Sequence, residues 1–270
     1  GHGTAQKNVS TKAIGEIEIP IPPLEEQQRI VSILDEVFNN IEVGKLQIQN
    51  NLNMGRDIFR SHLKQFFDSG EGKWKKEILE NLGTLTSSKR IFKNEYVEQG
   101  IPFYRSKEIK ELSHGKKTSV NLFISIQRYE EIKQKFDVPK KGDLLLTAVG
   151  TIGEMYIVKN DEEFYFKDGN IMWLKNFVSL EPEYLKLALT NFVEQIKSLS
   201  KGAAYNALTI QKLKQYSIPI PPLDEQTNMI SLFQKMELQT RELEYNHLNK
   251  LECLDEFRQS ILQRAFNGTL

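Results

Sequence analysis

The side chains of this sequence that could do chemistry lie between residues 71 and 206. Basic residues come there in short groups: Lys89-Arg90, Arg105-Ser106-Lys107, Lys116-Lys117 and Lys140-Lys141. Thr151, Lys167 and Asn170 sit at turn signals, and Lys201, Tyr205 and Asn206 lie in a segment of small residues. Arginine and lysine contact phosphate or guanine O6/N7, and asparagine pairs with adenine. Each of these residues alone is also what an ordinary solvated surface carries. Taken together they describe a surface that could bind a nucleic acid. The whole chain is neutral, with 36 Lys/Arg and 36 Asp/Glu, which weighs against such a partner. Between residues 73 and 141, however, there are 16 Lys/Arg against 9 Asp/Glu, a local excess compatible with phosphate contacts.

The same search finds no constellation that could run a reaction, and the reading is of a non-enzyme that needs no cofactor or metal. Gly150-Thr151-Ile152-Gly153 lacks the Lys-Ser/Thr of a nucleotide-phosphate loop and reads as a tight turn between strands. There is no Gly-x-Ser-x-Gly elbow and no His-Glu-x-x-His. The four histidines are scattered singly, which is not metal-ligand spacing. Glu130-Glu131 sits among lysines, where solvated charge is the ordinary explanation. The single cysteine, Cys253, cannot form an intramolecular disulfide, which suits a reducing cytoplasm. No apolar run approaches the roughly 20 residues of a membrane span, so no membrane association is expected.

The elements that must position these groups are announced by an internal repeat. Ile19-Pro20-Ile21-Pro22-Pro23-Leu24-Glu25-Glu26-Gln27 recurs 199 residues later as Ile218-Pro219-Ile220-Pro221-Pro222-Leu223-Asp224-Glu225-Gln226. The copies cover residues 3–70 and 202–269, with a one-residue slip inside the arm. Each begins with an extended proline run, an edge strand or polyproline-like stretch, because proline fixes φ and has no N–H. Acidic residues follow, as favours a helix N-terminus, and then a long stretch without proline. Ile30, Leu34, Val37 and Ile41 step by four, three and four, and the stripe continues through Ile48, Leu52 and Ile58. In the second copy Met229, Phe233, Met236, Leu243, His247, Leu251, Leu254 and Ile261 form the matching stripe. A helix of about 43 residues spans roughly 65 Å. The two stripes predict arms that pair antiparallel. Ordinary bundle helices would show the same periodicity, and His247 on the seam reads as a packed histidine. Gly44 and Gly55 interrupt the first arm and mark a bend or a close approach.

Residues 71–201 form a unit without repeats. Short β-rich runs at 101–105, 143–149, 154–158, 164–166 and 170–174 alternate with turn signals, and 125–136 and 181–199 read as helices. The fold class is therefore α+β.

At this point the sequence resembles the specificity subunits of type I restriction-modification systems. The resemblance rests on Gly3-Thr4-Ala5-Gln6, the Pro-Pro-Leu-x-Glu-Gln segments at 22–27 and 221–226 with the arms after them, Gly142-Asp143-Leu144-Leu145-Leu146, and Gly150-Thr151-Ile152-Gly153. It covers essentially the whole chain. It implies one DNA target recognition domain (71–205) flanked by two conserved long helices (24–70 and 223–270) that pair as an antiparallel coiled coil. Residues 1–23 would be the end of a preceding segment, and 206–222 an extended connector.

The resemblance also implies the partners: double-stranded DNA, methyltransferase subunits, and restriction subunits held through them. In that family each recognition domain reads one half of a split target and the helices set the gap between the halves. The subunit supplies no catalytic residue, and the methyltransferase extrudes the adenine. This sequence departs from the full pattern in carrying one recognition domain, so a half-length subunit or a C-terminal portion is expected, with homodimerisation through the arms open. Two other classes compete with this reading. A coiled-coil scaffold that binds only protein would leave the basic β-rich segment without a purpose. A DNA methyltransferase or nuclease would need a motif such as Asn/Asp-Pro-Pro-Tyr/Phe, and the proline pairs here are Pro22-Pro23 and Pro221-Pro222.

Overall fold

A computed structural model describes residues 19–69, 72–199 and 208–270. Gly3-Thr4-Ala5-Gln6, Lys201, Tyr205 and Asn206 lie outside the described residues. The chain divides into two compact units: residues up to Asp57 with Leu238–Leu270, and Ile58–Glu237.

Helix α1 (Leu24–Ser69) starts where the proline run ends, with Glu25 and Glu26 in its first turn. Helix α7 (Leu223–Phe266) starts in the same way, with Asp224 and Glu225. Within the first unit their pairing is antiparallel. Lys45 Nζ meets Asp255, Arg56 Nε meets Glu244 Oε1 at 2.8 Å, and the Arg258 guanidinium lies 4.9 Å over the Phe38 ring. Partners advance along one helix as they recede along the other. Ile41 and Leu52 are buried, and Ile30, Leu34, Val37, Ile48, Leu251 and Leu254 are half-buried. Ile261 and His247 are buried too, and His247 Nδ1 lies 2.9 Å from the Leu243 carbonyl.

Two positions depart from the expected stripe. Ile58 is exposed, and Phe59 packs in its place, edge-on to Phe233 at 5.6 Å. The reason is that 3.6 residues per turn does not keep a strict 3.5-residue seam in place. Leu243 is also exposed, although its Cδ2 faces Gly55.

Among the described residues the second unit contains three sheets. Strands β1 (Lys76–Ile78) and β10 (Ser217–Pro219) pair antiparallel, so the second proline run forms an edge strand. The main sheet has the order β2 (Thr84–Thr86), β9 (Ile171–Lys175), β6 (Leu144–Thr147), β7 (Met155–Ile157), all antiparallel. A third sheet runs β3 (Tyr96–Val97), β5 (Phe123–Ile124), β4 (Ile101–Tyr104), β8 (Tyr165–Phe166), with β4 and β8 parallel.

The main sheet is buried on both faces, and its side chains alternate between two cores as a pleated strand requires. Leu144, Leu146, Met172 and Leu174 enter one core, with Leu63, Phe67, Met229 and Phe233 from the long helices. Helix α5 (Pro182–Leu199) joins it through Tyr184, Leu185, Ala188, Leu189 and Val193, at helical spacing. Leu145, Ile171 and Trp173 enter the other core, against Ile109 of helix α3 (Ser106–Ser113). A third core gathers Phe103, Ile124 and Tyr165 against Tyr129 and Ile132 of helix α4 (Ile126–Lys135).

Short helices α2 (Leu79–Leu82) and α6 (Ile210–Lys214) complete the unit. Helix α6 interrupts a stretch expected to be extended. Thr209 Oγ1 caps it by accepting the Lys212 N–H at 3.2 Å, and Leu213 is fully buried. The Gly142-Asp143 turn has a structural role: Asp143 accepts from Trp173 Nε1 at 2.8 Å and from the Lys140 N–H at 2.9 Å. Burial pushes the Asp143 carboxyl above its ordinary range, partly offset by these two donors. Nearby, burial opposes ionisation of Asp137, but hydrogen bonds from Lys175, Lys140 and the Val138 N–H outweigh it and hold its pKa at about 2.

Candidate nucleic-acid interface

Four loops of the second unit are laced together at one edge of the β-rich core. Strand β2 ends at Thr86, and the next residue is Ser87, whose Oγ donates to the Ile171 carbonyl at 3.1 Å and accepts from the Gly169 N–H at 3.2 Å. Ser88 Oγ donates to the Phe166 carbonyl at 2.7 Å, and the Lys89 N–H donates to the Tyr165 hydroxyl at 2.6 Å. The Lys167 N–H donates to the Tyr104 carbonyl at 2.9 Å, next to Arg105. Ser106 Oγ donates to the Val149 carbonyl at 3.3 Å, and the Ala148 N–H donates to the Asn170 carbonyl at 2.8 Å. These bonds bring Lys89, Arg90, Arg105, Ser106, Lys107, Thr151, Lys167 and Asn170 to one region.

Arg105-Ser106-Lys107 opens helix α3. Arg105 is the N-cap residue, and Ser106 and Lys107 form the first turn. The Glu108 carboxylate folds back to accept the Arg105 N–H at 2.8 Å and the Arg105 guanidinium at 2.8 and 3.3 Å. An acid three residues into a helix that reaches back to the cap is a start signal the sequence carries. Glu108 is 1% exposed. Burial alone would raise its pKa, but the hydrogen bonds from Arg105 reverse this and the net shift is downward. Arg105 is thus partly committed to keeping a buried charge satisfied.

The remaining cations are freer to meet a partner. Arg90 is exposed and pairs with Asp168 at 2.9 Å, and Lys107 reaches Glu111 at 3.6 Å. Surface pairs of this kind contribute about 0–1 kcal/mol and exchange easily for a phosphate. Lys89 Nζ lies 4.8 Å over the Phe136 ring. Lys116 and Lys117 are not tied in by these bonds: they follow the C-terminal end of α3, both exposed and without an acidic partner among the described residues.

Gly150 and Gly153 lie in the loop between the paired strands β6 and β7, the turn expected of them. Both have positive φ, +83° and +94°. A side chain on Gly150 would meet nothing, whereas one on Gly153 would meet Val193 at 2.7 Å. Sequence reasoning passed over two residues here. Val149 is exposed at the loop tip, and Thr147 is fully buried at its base. A lone hydroxyl closing the Leu-Leu-Leu-Thr run was the available signal. Among the described residues no group of three or more His, Cys, Asp or Glu is placed to hold a metal, and no helix is long and apolar enough to cross a membrane.

A family model described as the type I restriction modification DNA specificity domain matches residues 1–54 and 71–253. A putative type I restriction enzyme specificity subunit of Haemophilus influenzae, S.HindORF215P, is 32% identical over 249 residues, 89% of this chain and 61% of that protein. The EcoBI specificity subunit of Escherichia coli is 21% identical over 291 residues, 98% of this chain and 60% of that one. Among solved structures, a chain from work on complex assembly and conformational transition of the type I R-M system superposes with a TM-score of 0.78 at 21% identity. That match covers 99% of this chain and 66% of the other. The HsdS subunit from Thermoanaerobacter tengcongensis gives 0.57 at 21% identity, over 100% and 65%. At these identities the two structures speak for the fold. The chain spans about three fifths of the length of the curated relatives it matches.

Proposed function

The chain belongs to the type I restriction-modification DNA specificity domain family, and we propose that it reads one half of a split duplex target through the laced loops of its second unit. The observation that carries this reading is the convergence of Lys89, Arg90, Lys167, Thr151 and Asn170 on mutually bonded loops with Arg105, Ser106 and Lys107 at the start of helix α3. The lysines and arginines position the domain on phosphates, and a few side chains meet base edges. The chemistry on the adenine belongs to a methyltransferase partner, which would extrude the base into its own pocket. The paired helices act as a spacer and docking platform for methyltransferase subunits, and restriction subunits join through these. The setting is cytoplasmic, and no cofactor is required of this chain.

The split-target reading draws support from the repeat. Ile19, Ile21 and Phe266 are exposed, at 62%, 81% and 61%. Their counterparts one repeat away, Ile218, Ile220 and Phe67, belong to the core beneath the recognition domain. A second recognition domain of the same design would cover the first set as the present one covers the second. A homodimer would bring one.

The test is to combine the full chain with the methyltransferase subunit of the same system on a sizing column, with and without duplex. Co-elution, with adenine methylated only when this chain is present, supports the reading. Absence of any complex and of duplex binding at low salt would sink it and favour a protein-only scaffold.

A further inference from the structure

The β6–β7 loop has an unusual division of labour between its carbonyls and its amides. The Val149 carbonyl accepts from Ser106 Oγ at 3.3 Å, and the Thr151 carbonyl accepts from Thr147 Oγ1. The Thr147 carbonyl accepts the Gly153 N–H at 3.0 Å, and Thr147 Oγ1 in turn accepts the Glu154 N–H at 3.0 Å. Two side-chain hydroxyls thus hold the Val149 and Thr151 carbonyls from the protein side. The N–H groups of Val149, Gly150, Thr151 and Ile152 donate to no acceptor among the described residues, and Val149, Gly150 and Thr151 are exposed. Successive amides in a turn with a left-handed residue form a concavity that suits an anion. Here the left-handed residue is Gly150, with open space where a side chain would begin. Lys107 follows directly on the Ser106 that holds the loop.

Resting on the DNA-reading proposal above, we propose that this loop seats a backbone phosphate of the duplex, with the 149–152 amides as donors and Thr147 as the positioning residue. The loop lacks the lysine and following helix of a nucleotide-phosphate loop, so its donors are neutral. Neutral donors hold a phosphate without regard to base sequence and without releasing a counterion. Thr147 is 0% exposed and touches no ligand; it acts by fixing both ends of the loop.

The experiment uses the full chain carrying carbonyl-13C valine and 15N glycine. The sequence contains only two Val-Gly pairs, Val43-Gly44 and Val149-Gly150, so two amide signals are selected and Gly44 serves as the internal control. Titration with a short mixed-sequence duplex at low salt is expected to shift Gly150 and leave Gly44 in place. Thr147→Val is expected to weaken duplex binding roughly three- to tenfold, the loss of about one hydrogen bond. The loss should be equal on unrelated duplexes, with the salt dependence unchanged, and Thr147→Ser should restore binding. Ser106→Ala, at a half-buried site, should weaken binding less and keeps the test open if Thr147→Val fails to fold. Duplex binding with Gly150 unmoved, or a folded Thr147→Val chain that binds like the parent, would overturn the seat while leaving DNA reading intact. No duplex binding by the parent chain would overturn both.

Discussion

Gln27 and Gln226 occupy the same place in two copies of one motif, yet they do different work. Each donates from Nε2 to the proline carbonyl five residues back, at 2.7 Å to Pro22 and 2.9 Å to Pro221. Gln27 is half-buried and stops there. Gln226 is completely buried, donates also to the Ser179 carbonyl and accepts the Glu181 N–H, both at 2.9 Å. It thereby ties α7 to the start of α5. The hydrogen bond to proline is what the motif encodes locally, since it holds the turn into the helix. The other two bonds depend on a recognition domain being present beside the second copy. The lesson is that an identical local signal becomes structural glue only where another element closes over it.

The largest test of this contrast is Phe233→Ala against Leu34→Ala, its counterpart one repeat earlier. Phe233 is 2% exposed and packs edge-on to Phe59 and Phe66, at 5.6 and 6.3 Å. Its truncation should cost about 3–5 kcal/mol, and that of half-buried Leu34 less than half as much, read from urea unfolding of each variant. Equal losses would break the comparison.

Gln226→Ala comes next. It takes the partner from the Glu181 N–H and from the Ser179 and Pro221 carbonyls, which should cost about 1–3 kcal/mol, whereas Gln27→Ala should cost about 1 kcal/mol or less. Thermal unfolding of the two variants side by side measures the difference.

A subtler asymmetry lies where the arms pair. Gly44 faces Leu254 and Gly55 faces Leu243, and one repeat separates Gly44 from Leu243 and Gly55 from Leu254. The first arm supplies small residues and the second supplies large ones. Two first arms together would leave gaps, and two second arms would crowd. Gly55→Leu should therefore destabilise by about 1–3 kcal/mol through overpacking. Gly44→Ala should do the reverse, and by the smallest amount. The added carbon would sit at an ordinary 3.6 Å from Leu254 Cδ1, and replacing a mid-helix glycine gains about 0.5–1 kcal/mol. If both substitutions destabilise alike, the small-against-large pairing is not what fixes the arms.

Much of the architecture was legible in the residues. The repeat, the proline-to-acid helix starts and the four-three-four stripes predict two long antiparallel helices. Short β-rich runs between turn signals predict β4, β6, β7, β8 and β9. Helix α3 was missed because its eight residues are too short for a periodic stripe, although Glu108 three residues after Arg105 was a usable start signal. Strands β1, β3 and β5 were missed because two or three residues carry no period at all. They exist through their pairing with distant segments, as Lys76 pairs with Pro219. Lys116-Lys117 looked equivalent to Lys89-Arg90 because charge is visible in a sequence and location is not.

The sequence alone determined the helix ends, the seam and the chemical types available for binding, because these depend on neighbours within a few residues. The tertiary structure decided which copy of the motif is buried, which basic pairs share one edge, and that Thr147 sits at the base of an exposed loop. Those outcomes depend on contacts between residues far apart in the chain, and such contacts form only when the chain folds.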